Sequence, residues 1–280
     1  MEDQTPNHND AYAPAEIAIR VRQAGRVKAG LPIFELATLA VLAGAFIALG
    51  AAFFTVIVTD STLPFGITRL LGGLAFCLGL ILVVVAGAEL FTGNVLIVMA
   101  WASRLVSTRR LLRSWSVVYV GNLVGALATA AVMYLSHAWS LAGARVGGTA
   151  LSIAVAKAEL PFVHAFFLGV LCNALVCLAV WLCFSARSTT DRILCVLFPI
   201  TAFVAMGFEH SIANMYFFGI GLLLQAEPTA VAAAALPAER LASLTWQSFL
   251  GNLVPVTLGN LVGGAGLVAA VYWFAYLRDR

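Results

Sequence analysis

The chain has 280 residues, of which 62% are hydrophobic and only 10% are charged. Soluble globular proteins carry about 25% charged residues, so this composition excludes an ordinary soluble domain and indicates an integral membrane protein. The net charge of +3 says little about partners, because the positions of the charges matter more. The five cysteines lie in or beside apolar runs without C-x-x-C spacing, which favours buried apolar residues over a disulfide framework or a metal site.

The chain begins with a polar segment, residues 1–15, that contains two prolines. We expect this segment to be a disordered tail and not a removable signal peptide. Residues 15–28 follow with one apolar face and several basic side chains, a pattern that predicts an amphipathic helix at an anionic membrane surface. Residues 1–30 are therefore predicted to form a tail and helix that precede a membrane domain at residues 31–280.

Apolar runs long enough to cross a membrane, which takes about 20 residues, occur six times in the rest of the chain. The predicted spans are residues 33–59, 70–100, 115–135, 161–184, 193–224 and 249–277. The second and fifth are longer than a straight span needs, and each contains a polar stretch with glycine. Both are therefore predicted to be helices broken at membrane depth, where non-helical backbone must be buried in protein or line a cavity.

The basic residues alternate between the two sides of these spans. Twelve of the 16 Lys and Arg residues fall on the side that carries both chain termini, and four fall on the other side. Because Lys and Arg are concentrated in cytoplasmic loops, we expect the N- and C-termini to be cytoplasmic.

Three pairs of segments recur in the same order and indicate an internal repeat. They are K-A-x-L-P at 28–32 and 157–161, G-x-E-x-x-x-x-N at 87–94 and 207–214, and GNLVG at 121–125 and 259–263. With three spans per half, the two halves enter the membrane from opposite sides. The predicted fold is all-α, with six spans in an inverted 3+3 repeat whose halves cover about 28–137 and 157–280, and such folds place the substrate site at the repeat interface.

The repeat separates polar groups that the halves share from groups that they do not share. The shared side chains at the two breaks are Glu89 with Glu209 and Asn94 with Asn214. We expect the shared groups to satisfy backbone groups that are freed where the helices break.

His210 has Leu90 as its counterpart, and Thr92 has Ile212, so these two polar groups are the better candidates for substrate chemistry. An imidazole exchanges protons near neutral pH, and a donor at the midpoint of a pore lowers the cost of desolvating an anion. The alternative for His210 is a packed histidine bonded to a neighbouring carbonyl group.

Other polar residues admit structural interpretations. Lys157 is predicted either to concentrate anions or to be an interfacial lysine, and His164 is interpreted as structural. Asn122 and Asn260 are expected to bond between helices, with Asn260 also reaching the pore. The Gly-x-x-x-Gly spacing in both GNLVG segments predicts close helix packing.

Several functional classes lack their sequence signatures. The chain contains no P-loop, no carboxylate-rich calcium or magnesium cluster and no asparagine-proline-alanine loops of aquaglyceroporins. The two histidines in the spans are too few for a haem subunit with paired axial ligands. We therefore predict a transporter or channel, and not an enzyme, without metal or cofactor.

Five segments resemble the formate/nitrite transporter family. They are GAELFTGN at 87–94, GNLVGA at 121–126, LCNALVCLAVW at 171–181, GFEHSIANM at 207–215 and VTLGNLVGG at 256–264. The resemblance extends from about residue 20 to residue 280. The N-terminal tail and helix, Lys157 and the CLAVW stretch at 177–181 are more similar to the formate channel branch than to the nitrite branch.

The resemblance implies a homopentamer of aquaporin-like protomers in a bacterial inner membrane, each with a pore for a small monovalent anion or its conjugate acid. It implies membrane lipid around the protein, no nucleic acid, and a candidate contact for a cytoplasmic partner at the N-terminal helix. The implied substrate-pore residues are His210, Thr92, Lys157, Asn173, Glu209 and Asn260. The implied constriction residues are Phe76, Leu80, Leu90, Phe91, Val176 and Phe203.

In this family, Glu209 and Asn173 match groups that hold the histidine or the lysine, and Asn260 matches a polar group near the inner constriction. The leading hypothesis is a formate channel in which His210 stabilises or protonates the anion between two apolar constrictions. The alternatives are a nitrite channel, a facilitator of neutral solutes, and a membrane-embedded enzyme or redox subunit.

Overall fold

The structure is a computed structural model that describes residues 11–278, and it contains helices but no strand within that range. The tail predicted at residues 1–15 lies largely outside the described residues, as does the C-terminal Arg280. The all-helical fold class predicted from the sequence is confirmed.

The helices of the first half follow the predicted order. They are α1 (Pro14–Gly30), α2 (Ile33–Val58), α3 (Phe65–Gly87), α4 (Phe91–Ala102) and α5 (Thr108–Leu135). The last turn of α3, Val83–Gly87, is π-helical. Span two is therefore interrupted at residues 88–90, inside the stretch where the sequence predicts a break.

The second half repeats this order with two added helices. Its members are α6 (Arg145–Ala158), α7 (Phe162–Ser185), α8 (Thr189–Ala205), α9 (Ser211–Leu224), α10 (Pro228–Ala234), α11 (Ala238–Ala242) and α12 (Trp246–Tyr276). The chain is non-helical at residues 206–210, again at the predicted position. Helix α10 leaves α9 at an angle of 116°.

Five of these helices are long and apolar enough to cross a membrane, namely α2, α3, α5, α7 and α12. Helices α8 and α9 are shorter, with 17 and 14 residues, and together they cover the fifth predicted span. The helix bounds are consistent with six spans in an inverted repeat. Each half contributes one broken span between two continuous ones.

The loops fall into two sets that agree with the distribution of basic residues. On the side of α1, the Tyr12 amide donates to the Ser185 carbonyl group (3.1 Å), and Trp273 Nε1 donates to Ser103 Oγ (3.0 Å). These contacts join segments next to α1, the α4–α5 loop, the α7–α8 loop and the C-terminal end of α12. We call this side the α1 side.

On the opposite side, Arg145 Nε lies 2.9 Å from Asp60 Oδ2, and Arg240 donates two hydrogen bonds to the Glu159 carboxylate. These contacts join α6 to the α2–α3 loop, and α11 to the α6–α7 loop. We call this side the α6 side.

Helix pairs α2–α5 and α7–α12 pack at backbone contact. A Cβ atom at Gly125 would collide with the Val41 carbonyl oxygen, and one at Gly263 would collide with the Val170 carbonyl oxygen. Both glycines end a GNLVG segment, so the close packing that this motif predicts is confirmed. These two pairs frame the helix breaks.

Candidate functional site

The break in the first half holds a partly buried ion pair. Lys28, near the end of α1, places Nζ 2.7 Å from Glu89 Oε1 and 3.2 Å from Asn94 Oδ1. Asn94 Nδ2 donates to the other carboxylate oxygen of Glu89 at 2.7 Å. We call these three residues the first triad.

The break in the second half holds an equivalent ion pair. Lys157, near the end of α6, places Nζ 2.7 Å from Glu209 Oε1, and Asn214 Nδ2 donates to Glu209 Oε2 at 2.6 Å. We call these residues the second triad. The lysine side chain is 13% exposed here, compared with 32% for Lys28 in the first triad. Because an unpaired charge is costly where it is buried, loss of the glutamate should cost more in the second triad than in the first.

Asn122 of α5 satisfies the backbone at the first break. Its Nδ2 donates to the carbonyl groups of Ala40 (2.7 Å) and Glu89 (2.9 Å), and its Oδ1 accepts from the Phe91 amide (2.9 Å). These three hydrogen bonds tie α2, the break and the start of α4 to α5. An interhelical role for Asn122 was expected, and the geometry agrees.

Asn260 of α12 makes the same three bonds in the second half. Its Nδ2 donates to the carbonyl groups of Gly169 (2.8 Å) and Glu209 (3.0 Å), and its Oδ1 accepts from the Ser211 amide (3.0 Å). The structure thus assigns the freed backbone groups to this asparagine pair. The expectation that the glutamates and asparagines within the breaks would satisfy them is replaced, because those side chains bond to lysine and to one another.

The two breaks meet at one hydrogen bond. His210 Nε2 lies 3.0 Å from Thr92 Oγ1, and both side chains are buried. His210 Nδ1 accepts from the Ala213 amide at 3.1 Å, which caps the N-terminus of α9. Since Nδ1 is an acceptor, the network assigns the ring proton to Nε2, which donates to Thr92. The Thr92 hydroxyl proton is then available to a further acceptor.

Two cavities approach this contact from opposite sides. The first, of about 470 Å³, is lined by Leu80 and Leu90 together with the first triad. The second, of about 280 Å³, is lined by Phe76, Phe203 and His210 together with the second triad. The ring of Phe203 stacks on His210 (6.0 Å between centroids) and meets the edge of Phe76 (5.6 Å). Four of the six predicted constriction residues therefore line a cavity.

The other two predicted constriction residues, Phe91 and Val176, are buried and line neither cavity. The Phe91 ring packs edge-on against Tyr119 (4.9 Å between centroids) and Trp115 (6.4 Å) of α5. Phe91 therefore anchors α4 to α5 in this structure.

Asn173 is also buried away from both cavities, and its Nδ2 donates to the backbone carbonyl group of Asn260 at 2.6 Å. It makes no hydrogen bond to His210 or Lys157 among the described residues. Glu209, in contrast, holds Lys157 directly, which is one of the two roles that the resemblance implies for it.

Three contacts at the site were not predicted. Lys28 appeared only as a marker of the repeat, yet it occupies the same position in the first triad that Lys157 occupies in the second. Asn252 of α12 contacts both Asn214 and the Lys157 backbone. Cys177 Sγ donates to the Thr92 carbonyl group at 3.4 Å. The spacing within the repeat is the signal that would have identified Lys28.

Across residues 11–278, no group of three or more His, Cys, Asp or Glu side chains is arranged to hold a metal ion.

Comparison with known proteins places the chain in a family. The family model described as formate/nitrite transporter matches residues 15–274. The chain belongs to this family. Members are membrane transporters, so the predicted class, a multi-pass transporter and not an enzyme, is confirmed.

Similar proteins match over nearly their whole length. The formate channel FocA of Escherichia coli K12 is 42% identical over 98% of both chains, and that of Haemophilus influenzae is 39% identical over 91% of both. A solved structure titled "Pentameric formate channel with formate bound" has a TM-score of 0.82 and 43% identity, covering 88% of this chain and 98% of the other. A second, titled "FNT family ion channel", has a TM-score of 0.76 and 27% identity, covering 94% and 98%.

Proposed function

We propose that this chain is a formate channel that assembles as a homopentamer with a pore in every protomer. Its similarity to formate channels of two bacteria, and to a pentameric channel structure with bound formate, supports both the substrate and the assembly. The two cavities of each protomer, which lie on either side of one buried hydrogen bond, support a pore within the protomer.

The contact between Thr92 and His210 carries the mechanism. A carboxylate that passes the apolar side chains of Phe76 and Phe203, or of Leu80 and Leu90, loses water, which is costly for a charged group. The Nε2–H of His210 and the Thr92 hydroxyl are the donors at the point where the halves meet. The Thr92 hydroxyl proton is free to donate to the anion, whereas His210 Nε2–H donates to Thr92 in the structure and would have to exchange Thr92 for the anion. These hydrogen bonds would replace part of the lost hydration of the anion.

The hydrogen bond from the Ala213 amide bears on whether His210 protonates the anion or stabilises it as a neutral ring. Handing a proton to formate requires an imidazolium ring, with a proton on each nitrogen. Nδ1 is occupied as an acceptor of the Ala213 amide, so a second proton would break the cap of α9. We therefore favour a neutral His210 that stabilises the anion, with proton transfer as the alternative that the pH dependence tests.

Lys28 and Lys157 line the two cavities and would concentrate anions there. Glu209 holds Lys157 and Asn260 holds the second break, while Asn173 donates to the backbone carbonyl group of Asn260. In a bacterial inner membrane, the α1 side, which carries 11 of the 15 basic residues within residues 11–278, would face the cytoplasm with both termini.

Formate flux into proteoliposomes, measured with and without a pH gradient, tests this proposal. We expect saturable flux in the wild type and a loss of roughly 10- to 100-fold in His210→Ala and Thr92→Val, because a hydrogen bond to a charged group contributes about 1.5–3 kcal/mol. A pH dependence of flux that is the same in His210→Ala and wild type would exclude proton transfer through the ring.

The same assay separates the other substrates. Nitrite that competes fully with formate and is carried faster would identify a nitrite channel. Glycerol flux insensitive to pH, without formate flux, would identify a facilitator of neutral solutes and overturn the proposal.

A further inference from the structure

We propose that Asn252 is a positioning residue that keeps two N–H bonds of Lys157 free for direct contact with a small carboxylate anion in the second cavity. The inference rests on the proposed function, since it concerns how that cavity captures its substrate. The observation behind it is a difference between the two triads in the hydrogen bonds of the lysine and the asparagine.

In the first triad, the lysine is held by two acceptors. Lys28 Nζ donates to Glu89 Oε1 and to Asn94 Oδ1. Because the ammonium group only donates and the carboxylate only accepts, chemistry fixes the Asn94 amide with its oxygen toward Lys28 and its nitrogen toward Glu89. One of the three N–H bonds of Lys28 is left for other partners.

In the second triad, the asparagine amide again donates to the glutamate, but Asn252 gives its nitrogen a second acceptor. Asn252 Nδ2 donates to the Lys157 carbonyl group at 3.0 Å, and a carbonyl oxygen can only accept. Asn252 Oδ1 therefore faces Asn214 and accepts from its Nδ2 at 2.7 Å. The second N–H of that Nδ2 donates to Glu209 Oε2, so both hydrogens of the Asn214 amide are used.

The position of the Asn214 amide determines which hydrogen bonds Lys157 makes. The Asn214 oxygen has no hydrogen-bond partner among the described residues, and Lys157 Nζ has Glu209 as its one hydrogen-bond acceptor there. The Phe217 ring centroid lies 5.3 Å from Nζ. Two N–H bonds of a lysine that lines the second cavity are therefore available, a geometry that suits the two oxygens of a carboxylate.

Ser114 is the counterpart of Asn252 in the first half. It precedes Asn122 in α5 by the same number of residues as Asn252 precedes Asn260 in α12. The Ser114 hydroxyl is buried without a partner, and it makes no bond to Asn94 among residues 11–278. The first cavity is lined by Arg20 and Arg192 in addition to Lys28, so its attraction for anions does not depend on one lysine.

The test uses Asn252→Ser, which gives the second half the residue of the first half. Without the Asn252 oxygen, the Asn214 amide can turn and accept from Lys157, as Asn94 accepts from Lys28. In oriented proteoliposomes, the initial rate of radiolabelled formate flux is measured against formate concentration from each side separately. We expect the half-saturating concentration on the α6 side to rise about fivefold, the value of one ordinary hydrogen bond, and that on the α1 side to change less than twofold.

Three further variants separate positioning from general damage. Ser114→Ala, which removes an unpaired hydroxyl, should leave both sides unchanged. Asn252→Leu, similar in size but unable to accept, should give the same one-sided shift as Asn252→Ser and serves if the serine variant does not assemble. In a Lys157→Gln background, Asn252→Ser should produce no further shift.

Equal shifts on both sides, or a shift that persists in the Lys157→Gln background, would overturn the role of Asn252. A wild type without saturable formate flux would instead overturn the proposed function. In that case the same sided comparison with nitrite would still test Asn252.

Discussion

Asn122 in the first half and Asn260 in the second make the same three hydrogen bonds to the broken helices. Around them, the packing differs. Gly44 of α2 lies against the Asn122 carbonyl group, whereas Asn173, at the matching position of α7, donates a hydrogen bond to the Asn260 carbonyl group. Both halves therefore require an asparagine that bonds to the backbone of the break. The neighbouring position differs between the halves, and only the second half has a polar side chain there.

Removing the asparagine that anchors a break should have the largest effect. Asn260→Leu leaves two carbonyl groups and one amide unpaired, at about 1–3 kcal/mol each, so we expect a severe loss of stability in thermal unfolding of the purified protein in detergent. Asn122→Leu is the matched variant and should lose a similar amount. A small loss of stability in only one of the two variants would show that the equivalent hydrogen bonds do not stabilise both halves equally.

Breaking the two ion pairs should lower the stability of the protein by different amounts. Glu209→Gln leaves the 13% exposed Lys157 charge unpaired and should cost about 3 kcal/mol. Glu89→Gln should cost less, because Lys28 is 32% exposed and water screens its charge. The measurement is the fall in Tm of the two variants at neutral pH, and equal falls would contradict the difference in burial.

Filling the space beside Asn173 should have a smaller effect. A Cβ atom at Gly264 would lie 2.5 Å from Asn173 Nδ2 and 2.7 Å from Cys177 Sγ, so Gly264→Ala should cost about 1–3 kcal/mol through overpacking. Asn173→Gly in the same chain recreates the pair Gly44 and Ala126 of the first half. The Tm of the double variant should lie between that of Gly264→Ala and that of the wild type. A Tm no higher than that of Gly264→Ala would mean that the clash with Asn173 is not the cause of the destabilisation.

The smallest effect concerns the surface of the α6 side. Two hydrogen bonds from Arg240 lower the pKa of Glu159 below its usual value. A carboxyl group with a lowered pKa in the folded state stabilises the protein above its unfolded-state pKa, and this contribution is lost as the pH falls through the folded-state value. Arg240→Gln should therefore have a slightly lower Tm than wild type at neutral pH. The difference should disappear in acid, and a constant difference would contradict the linkage.

The positions of the breaks were predictable because composition and spacing report on them directly. Apolar runs too long for one span, each with a polar glycine stretch, mark the interruptions at residues 88–90 and 206–210. The contact between Thr92 and His210 was not itself predicted. The residues were singled out because they differ between matching stretches, and the structure brings them within 3.0 Å.

The partners of the charged side chains were less accessible from the sequence. The pairing of Lys28 with Glu89 depends on how the end of α1 packs against the first break, and the sequence contains no periodic pattern that predicts this packing. Phe91 follows Leu90, which lines a cavity, yet its ring turns to α5, because the register of the short helix α4 decides which face it presents. The orientation of the Asn214 amide required knowledge of every acceptor around it.

Phe76 and Leu80 belong to successive turns of α3, about 6 Å apart along the helix axis, yet they line different cavities. If both cavities hold bulk electrolyte, most of the membrane voltage falls across this single turn. An anion that crosses it gains or loses about 2.3 kcal/mol per 100 mV, whereas formic acid gains or loses nothing. The slope of current against voltage would therefore distinguish which of the two species crosses.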